Sequence, residues 1–362
     1  MKREERSRRA VLGIGAAALA GLAGCTAGNS AEETLGDREK NEPEDATADG
    51  ETTDDGTTED DEDEVVEPPE GGAVVFVYDD GPLEDYTQAF PVHQEFDAPA
   101  TTGIVSEWIG REDYMDAGCM DVEHLEALVD AGWEIASHTV EHTAVGSFEL
   151  VESAAPEDGS VYPEEIRHGY HRGKELEITD DDRTVRRTVV DYGSDGVGRY
   201  IELDEPLGES FAAGETVVRY PADQMHASLG ESKRELERLG FEVDTLLAPY
   251  DNFDEYSMEF VGEYYDGVAN AKHGSRINDR GEFDPYRTCR DYFIEFTSRE
   301  SVRRDLDEIA ERGALGVFGA HAFKEEVSRE RIRETLEWID ERDIEVMTLR
   351  EAIARFGDRH RS

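Results

Sequence analysis

Short apolar runs alternate with amphipathic segments from residue 73 onward, and this alternation limits the possible folds more than any other feature. The first run, residues 73–78, ends at Asp79-Asp80-Gly81-Pro82, which predicts a buried strand followed by a loop. Further strands are predicted at 133–136, 245–247, 315–320 and 344–347, and helices at 121–132, 228–239, 301–312 and 325–340. The alternation predicts an α/β fold with a parallel sheet covered by helices, either open or closed into a barrel.

One segment interrupts this alternation. Four strand-like stretches follow one another there, joined by turns rich in Gly and Asp, and they lie at 175–178, 184–192, 199–203 and 215–220. We therefore predict a β-rich insertion over residues 147–222. The insertion is either an accessory element that binds substrate or a structural elaboration, and the sequence leaves both open.

The first 25 residues are organised like an export signal. A basic segment precedes an apolar stretch of about fourteen residues, which is too short to span a bilayer. The run Ser7-Arg8-Arg9-Ala10-Val11-Leu12 resembles a twin-arginine signal, and Leu22-Ala23-Gly24-Cys25 resembles a lipobox, whose cysteine becomes the lipidated N-terminus. We predict a lipoprotein signal over residues 1–25, with Cys25 anchoring the exported protein to the outer face of the cytoplasmic membrane. A plain secretory signal with an incidental Cys25 is the alternative.

Acidic residues dominate the chain: 88 Asp and Glu oppose 37 Lys and Arg, so the formal net charge is -51. Residues 26–70 combine this acidity with almost no large apolar side chains, which predicts a disordered tether. Residues 71–362 still hold 67 acidic and 30 basic side chains. This composition is similar to that of proteins from extreme halophiles. It argues against a nucleic-acid partner, which would require a basic face.

Cysteine is sparse in the chain. Apart from Cys25, only Cys119 and Cys289 are present. In an oxidising compartment these two could form one disulfide. A pair of free, buried thiols is the equal alternative.

Two histidines and two carboxylates form a candidate metal site. His138 and His142 have the i, i+4 spacing that, on a helical turn, points both side chains at one metal ion. Such pairs are common by chance, and two hydrogen-bonded or solvent-facing histidines are the alternative. Asp79 and Asp80 end a predicted strand, where adjacent carboxylates repel unless a cation or a proton intervenes. A turn that begins at this Asp pair is the competing interpretation.

These residues resemble the polysaccharide deacetylases, the NodB-homology family also called carbohydrate esterase family 4. Val77-Tyr78-Asp79-Asp80-Gly81 is similar to their first motif, usually Thr-Phe-Asp-Asp-Gly. His138-Thr139-Val140-Glu141-His142 matches the second, His-Ser/Thr-x-x-His, about sixty residues later in both cases. The resemblance covers residues 73–146 and 223–350. It implies that residues 71–362, interrupted by the insertion, form a catalytic domain of this type.

The resemblance implies a distorted (β/α) barrel and a divalent metal, usually zinc, with cobalt or manganese as alternatives. Asp80, His138 and His142 would be the metal ligands, and Asp79 the general base. The implied substrate is an N-acetylated sugar of a surface or extracellular polysaccharide or oligosaccharide, with O-acetylated sugars also compatible.

Two further motifs are present with changes. Leu247-Ala248-Pro249-Tyr250 matches the third motif, Arg-x-Pro-Tyr, except that Leu247 replaces the Arg that contacts the base. Tyr250 is implied to offer its backbone N–H to the reaction oxyanion. Arg290 is expected to take over the missing contact, with a surface salt bridge as the alternative. His321 matches the last motif, Leu-x-x-His, and is implied to protonate the leaving amine; a capping or core histidine is the alternative.

We therefore expect a metal-dependent hydrolase of carbon–nitrogen bonds other than peptide bonds. A non-catalytic glycan-binding lipoprotein is the first alternative, supported by Leu247 and by the extra β-rich segment. A hydrolase of a non-sugar amide is the second. Asp79 and His321 favour an enzyme, since binding alone requires neither.

Overall fold

A computed structural model describes residues 68–180 and 182–357. The expectations for the export signal, Cys25 and nearly all of the tether concern residues outside this described part. The strands are β1 (Ala73–Tyr78), β2 (Thr101–Ile104), β3 (Glu134–Ser137), β4 (Phe148–Glu149), β5 (Ser160–Val161), β6 (Glu175–Thr179), β7 (Thr184–Ser194), β8 (Arg199–Leu203), β9 (Val217–Arg219), β10 (Thr245–Leu246), β11 (Gly267–Val268), β12 (Lys272–His273), β13 (Ile277–Asn278), β14 (Cys289–Tyr292), β15 (Leu315–Ala320) and β16 (Glu345–Val346). The α-helices are α1 (Phe90–Gln94), α2 (Val122–Asp130), α3 (Ala222–Arg238), α4 (Glu255–Val261), α5 (Arg299–Arg312), α6 (Arg329–Asp340) and α7 (Leu349–Phe356).

A curled parallel sheet forms the centre of the fold. Its strand order is β11-β10-β3-β2-β1-β15-β14-β12, and every pairing along this path is parallel. Strand β16 adds to β1 in parallel, and β13 pairs with β15 in the antiparallel sense. Within the described residues, β11 and β12 do not pair with each other, so the sheet is a half-barrel. The predicted α/β fold class is confirmed.

The central strand β1 is buried on both faces, which explains its uninterrupted apolar sequence. Side chains alternate across a strand, so successive residues enter different apolar layers. Ala73, Val75 and Val77 belong to the inner layer together with Leu315 and Leu247. The alternate residues of β1 lie in the outer layer, which also contains buried residues of the covering helices α2, α3, α5 and α6. The strand is thereby fixed from both sides, and so is the position of the residues that follow it.

A second sheet lies between residues 148 and 219. Its six strands are ordered β4-β9-β6-β7-β8-β5, and every pairing is antiparallel. Leu176, Ile178, Val189 and Ile201 fill its buried side. Strand β7 instead exposes many of its residues, which is the pattern of a sheet with one face toward water. This sheet is the β-rich insertion of the predicted fold class.

Several helix limits differ from the sequence prediction, for local reasons. Helix α6 begins at Arg329 rather than residue 325, because the Ser328 side chain caps its first turn by accepting from the Arg331 N–H. Helix α3 begins at Ala222, six residues early, directly after Pro221. Helix α7 was not predicted, although Thr348 forms a capping box with the residue at the third helical position.

The described residues also include the two cysteines that could have formed a disulfide. Cys119 and Cys289 are free thiols rather than a disulfide. In the described part of the chain, no helix is both long enough and apolar enough to cross a membrane.

Candidate active site

The strand ends of the parallel sheet bring the candidate residues to one edge. Asp79 and Asp80 directly follow β1, and His138 directly follows β3. His321 directly follows β15, and Tyr250 lies four residues after the end of β10. Because parallel strands direct their carboxyl ends toward the same edge, these separated positions line one cleft of about 390 Å³.

Asp80, His138 and His142 form a cluster that could hold a metal ion, here called the metal-binding cluster. The Asp80 Oδ1 atom lies 3.3 Å from His138 Nε2 and 3.1 Å from His142 Nε2. It is buried and makes no hydrogen bond within the described residues. One ligand atom from each residue lies within 4.8 Å of the others. Burial opposes ionisation of Asp80, but the two imidazoles outweigh it and hold the pKa of this carboxyl well below its usual range.

The orientation of the His138 ring supports the same conclusion. Its Nδ1–H donates to the Leu247 carbonyl oxygen at 2.8 Å, which directs Nε2 toward Asp80. A cation between Nε2 and the Asp80 carboxylate would be attracted to both. Two imidazole nitrogens and one carboxylate oxygen suit a borderline divalent cation such as zinc, and the backbone bond to His138 orients the ligand. The residues therefore fit the metal that the sequence resemblance implied.

The predicted helical turn from His138 to His142 was wrong. This stretch is a loop, in which Thr139 and His142 have left-handed φ values of 64° and 60°. The Thr139 side chain accepts from the Thr143 N–H at 2.9 Å, which stabilises the turn. Both imidazoles reach Asp80 because the loop redirects His142, and not because of a helical period.

Arg290 holds Asp79 from behind the cleft. Its guanidinium donates from Nη1 to Asp79 Oδ1 at 2.7 Å and from Nη2 to Oδ2 at 2.5 Å, a bidentate pair. Arg290 is 2% exposed and extends past Gly319, where any Cβ would collide with the guanidinium. Leu247 is buried against Gly103 in the inner apolar layer. The structure thus places Arg290, rather than residue 247, on the candidate base.

His321 lies on the other side of Asp79. Its Nδ1 bonds to Glu295 Oε1 at 2.9 Å, which directs Nε2 toward Asp79 Oδ2, 3.6 Å away. Burial lowers the pKa of His321, but the Glu295 bond and the neighbouring carboxylates outweigh burial and raise it to about 9. The imidazole is therefore protonated at neutral pH and can donate a proton from Nε2.

Sequence reasoning missed several polar residues of this cleft. Asp251 accepts hydrogen bonds from Asn270 Nδ2 at 2.7 Å and from the Tyr292 hydroxyl at 3.0 Å. The only signal for Asp251 was its place directly after Tyr250. Glu295 had no signal, because it follows a short strand in a segment without a recognised motif.

The insertion also contributes to the cleft, at Arg167. This residue lies in a short 3₁₀ helix, Arg167–Tyr170, and its guanidinium carbon is 4.5 Å from the centre of the Tyr250 ring. Lys324 lines the cleft next to Phe323, with its ammonium 4.8 Å from that ring. Neither cation was predicted, since packing of separate elements brings them to the site.

The same insertion supports the loop that carries His142. The His168 Nε2–H donates to the Gly146 carbonyl oxygen at 3.1 Å. Lys174 forms a 2.8 Å ion pair with Glu141, the residue before His142. The loop is thereby connected to the insertion at two points.

Backbone strain is concentrated around the cleft. Nine non-glycine residues among those described have positive φ angles. Six of them belong to the cleft or to the loop between β3 and β4 that carries His138 and His142, called the ligand loop. They are Asp80, Thr139, His142, Tyr250, Asp251 and Phe296. Such conformations cost energy and are typical of sites where side-chain direction is constrained by function.

Some solved structures are similar to this chain, whereas no curated protein matches it. Among solved structures, similar ones include a deacetylase solved with substrate (13% identity, 78% of this chain and 92% of that chain covered, TM-score 0.38). A family 4 acetyl xylan esterase from Clostridium thermocellum with a cobalt ion is another (11%, 78% and 90%, TM-score 0.39). A third is a CE4-family pseudoenzyme from Bacillus anthracis (9%, 77% and 64%, TM-score 0.41).

The family comparison is more specific. Residues 67–185 match the family described as polysaccharide deacetylase. This range contains Asp79-Asp80 and His138 to His142, the two motifs that form the metal-binding cluster. It also extends into the insertion and ends before Tyr250 and His321. Over this range, about a third of the chain, the protein is similar to the polysaccharide deacetylase family.

Proposed function

We propose that this protein is a metal-dependent hydrolase that removes acetyl groups from N-acetylated sugars of a surface or extracellular polysaccharide. The observation that carries the proposal is the convergence of a metal-binding cluster, an arginine-held carboxylate and a protonated imidazole in one cleft. The proposed metal is zinc, with cobalt or manganese as alternatives, and its ligands are Asp80, His138 and His142. A bound divalent cation would polarise the acetyl carbonyl and lower the pKa of a water molecule to about 7.

Asp79 is the proposed general base. Arg290 binds both of its oxygens, which keeps the carboxylate oriented to accept a proton from the attacking water. The backbone N–H of Tyr250 is the proposed donor to the oxyanion that develops on the acetyl oxygen. Its left-handed backbone, with φ of 63°, holds this turn at the cleft.

His321 is the proposed general acid. As the carbon–nitrogen bond breaks, its Nε2–H protonates the leaving nitrogen, and the products are acetate and a free amine on the sugar. Glu295 keeps the proton on this histidine at neutral pH. O-acetylated sugars are compatible with the same groups, because their hydrolysis also passes through a tetrahedral oxyanion.

An exposed aromatic ring supports a glycan as substrate. Phe296 lines the cleft with 89% of its surface exposed, next to Tyr292. A large apolar side chain left open at a polar cleft is expected where a ligand covers it, and a sugar ring offers a matching face of C–H groups.

The test is acetate release from N-acetylglucosamine oligomers by the full chain in 1 M KCl. The assay is run with chelator and after adding back zinc, cobalt or manganese. Release should stop with chelator and in Asp79→Asn, and should continue in Asp130→Asn, a matched surface control at the end of α2. Release that persists in chelator would contradict metal dependence.

Two negative results separate the alternatives. Stoichiometric zinc without turnover on any acetylated sugar would favour the glycan-binding lipoprotein or a hydrolase of a non-sugar amide. Absence of both turnover and zinc would mean that Asp80, His138 and His142 are not a metal site.

Localisation on the outer face of the membrane is part of the proposal and is supported by the sequence of residues 1–25 alone. A lipid anchor at Cys25 predicts that the mature protein partitions into membranes. Cys25→Ser should prevent lipidation, and fractionation of cells that express each form measures the difference. Equal membrane association of both forms would contradict the anchor.

A further inference from the structure

Two cations of the cleft have no dedicated carboxylate partner there. Lys324 forms no ion pair within the part of the chain that the structure describes, and its side chain is exposed at the cleft. The closest carboxylate to Arg167 is Glu165, 3.6 Å from Nε, and Glu165 also faces Arg199 at 3.4 Å. Both cations therefore keep free hydrogen-bond donors.

The acidic groups of the cleft are already engaged by other partners. Asp79 is held by Arg290, Glu295 by His321, and Asp80 belongs to the metal-binding cluster. Asp251 accepts from Asn270 and Tyr292. Arg167 and Lys324 are thus lining cations that no carboxylate of the cleft engages, in a chain whose formal charge is -51.

Arg167 is also fixed in place by aromatic rings. Its guanidinium carbon lies 4.5 Å from the Tyr250 ring centre and 5.8 Å from that of Tyr170. Tyr170 is followed outward by Tyr192, with ring centres 5.0 Å apart. Stacking restrains the guanidinium, so less side-chain freedom is lost when a ligand binds. Tyr250, Tyr170 and Tyr192 therefore form a row of rings that leads from the cleft into the insertion.

We propose that this cleft selects acidic glycans, in which a carboxylate-bearing sugar adjoins the acetylated one, and that Arg167 and Lys324 bind those carboxylates. The planar fork of Arg167 suits a carboxylate in two-point contact. Lys324, on the His321 side of the cleft, supplies a second charge for a longer chain. The insertion thereby determines specificity through Arg167. This inference rests on the proposed deacetylase function and adds its substrate class.

The test compares two probes of equal length, oligomers of N-acetylglucosamine and oligomers that alternate N-acetylglucosamine with glucuronate. The full chain is loaded with zinc and assayed in 1 M KCl. The Debye length is then about 3 Å, so a remaining preference reports direct contact. Wild type should favour the acidic oligomer in kcat/KM by about tenfold. Arg167→Ala should remove most of this preference by raising the KM for the acidic oligomer. Lys324→Ala should remove a smaller part of it.

Arg183→Ala is the matched control, since Arg183 belongs to the same insertion but pairs with Asp180 away from the cleft. Arg167→Lys should restore only part of the preference. An equal ratio of the two substrates in wild type and Arg167→Ala would overturn the inference while leaving the deacetylase function standing.

If wild type releases acetate from neither oligomer, calorimetric binding of the same two probes decides the question independently of turnover. Tighter binding of the acidic oligomer, lost in Arg167→Ala, would retain the acidic-glycan inference and reject deacetylation of these sugars. Equal or absent binding of both would reject the inference as well.

Discussion

The parallel half-barrel and the antiparallel insertion differ in the burial of their strands and in the way those strands pair. In the half-barrel, β1 and β15 are buried on both faces and run side by side from Ala73↔Leu315 to Tyr78↔Ala320. In the insertion, β7 exposes much of its length and pairs with its neighbours by antiparallel hairpin connections. The half-barrel positions groups that would perform chemistry. The insertion contributes a cation to the cleft and supports the ligand loop from outside.

This difference shows how one cleft can combine side chains from a buried parallel sheet with side chains from a partly exposed insertion. Strand ends give the carboxylates and imidazoles fixed directions, because the strands themselves cannot move in a filled core. Substrate contacts do not need the same rigidity and can be supplied by an added layer. Arg167 lies at this boundary, since it belongs to the insertion but stacks on Tyr250 of the half-barrel.

The largest expected effect breaks a buried ion pair of the half-barrel. Arg290→Met should lower the free energy of unfolding by about 3–5 kcal/mol, because the buried Asp79 would lose its bidentate partner and Asp251 a nearby cation. Arg186→Met is the counterpart in the insertion, where the Arg186 side chain is 47% exposed beside Glu177. Its loss should be below about 1 kcal/mol.

Urea unfolding of both variants in 1 M KCl measures this contrast. Zinc stoichiometry should be retained in Arg290→Met, since the side chain makes no contact with Asp80. Equal losses of stability in the two variants would show that burial does not increase the contribution of the Arg290–Asp79 pair to the free energy of unfolding.

An intermediate effect concerns the two buried histidines, one in each region. Burial lowers the pKa of His93, next to β1, to about 4 and that of His168, in the insertion, to about 3. Both lie below the unfolded value of 6.5. The contribution of each histidine to the free energy of unfolding is constant above pH 6.5. As the pH falls below 6.5, each histidine lowers that free energy by about 1.4 kcal/mol per pH unit, because the unfolded state binds the proton more tightly. The loss stops increasing near the pKa of the folded state, which is about 4 for His93 and about 3 for His168.

Replacement by a non-titrating side chain tests this linkage. His93→Gln and His168→Gln should each flatten the slope of unfolding free energy against pH between about 6.5 and 4, measured with chelator present. A flattened slope in His93→Gln alone would mean that the insertion opens before the half-barrel unfolds, so that the two regions are not one cooperative unit. No change in either variant would contradict the assigned burial effect.

Much of this architecture could be predicted from residue patterns. Fully apolar strands, helical spacing and motif order identified β1, β3, β15 and the residues that follow them, because those signals are local. The helical turn between His138 and His142 was wrong, since left-handed φ values at non-glycine residues leave no pattern in the sequence. Arg167, Lys324 and Glu295 were missed for another reason. Their roles depend on how separate segments pack, and a charged residue in a loop has the same appearance whether or not it faces a cleft.

The smallest expected effect tests the support that the insertion gives to the ligand loop. Lys174 pairs with Glu141 at 2.8 Å, and both side chains are about one-third exposed. Lys174→Met should weaken zinc binding by about two- to fivefold, the range of a partly exposed ion pair. Arg172→Met, which removes an exposed pair with Asp191 in the same insertion, should leave zinc affinity unchanged. Competition with a chromogenic chelator measures both. If the two variants bind zinc equally well, the ion pair does not restrain His142, and the insertion supports this loop only through the hydrogen bond from His168 to Gly146.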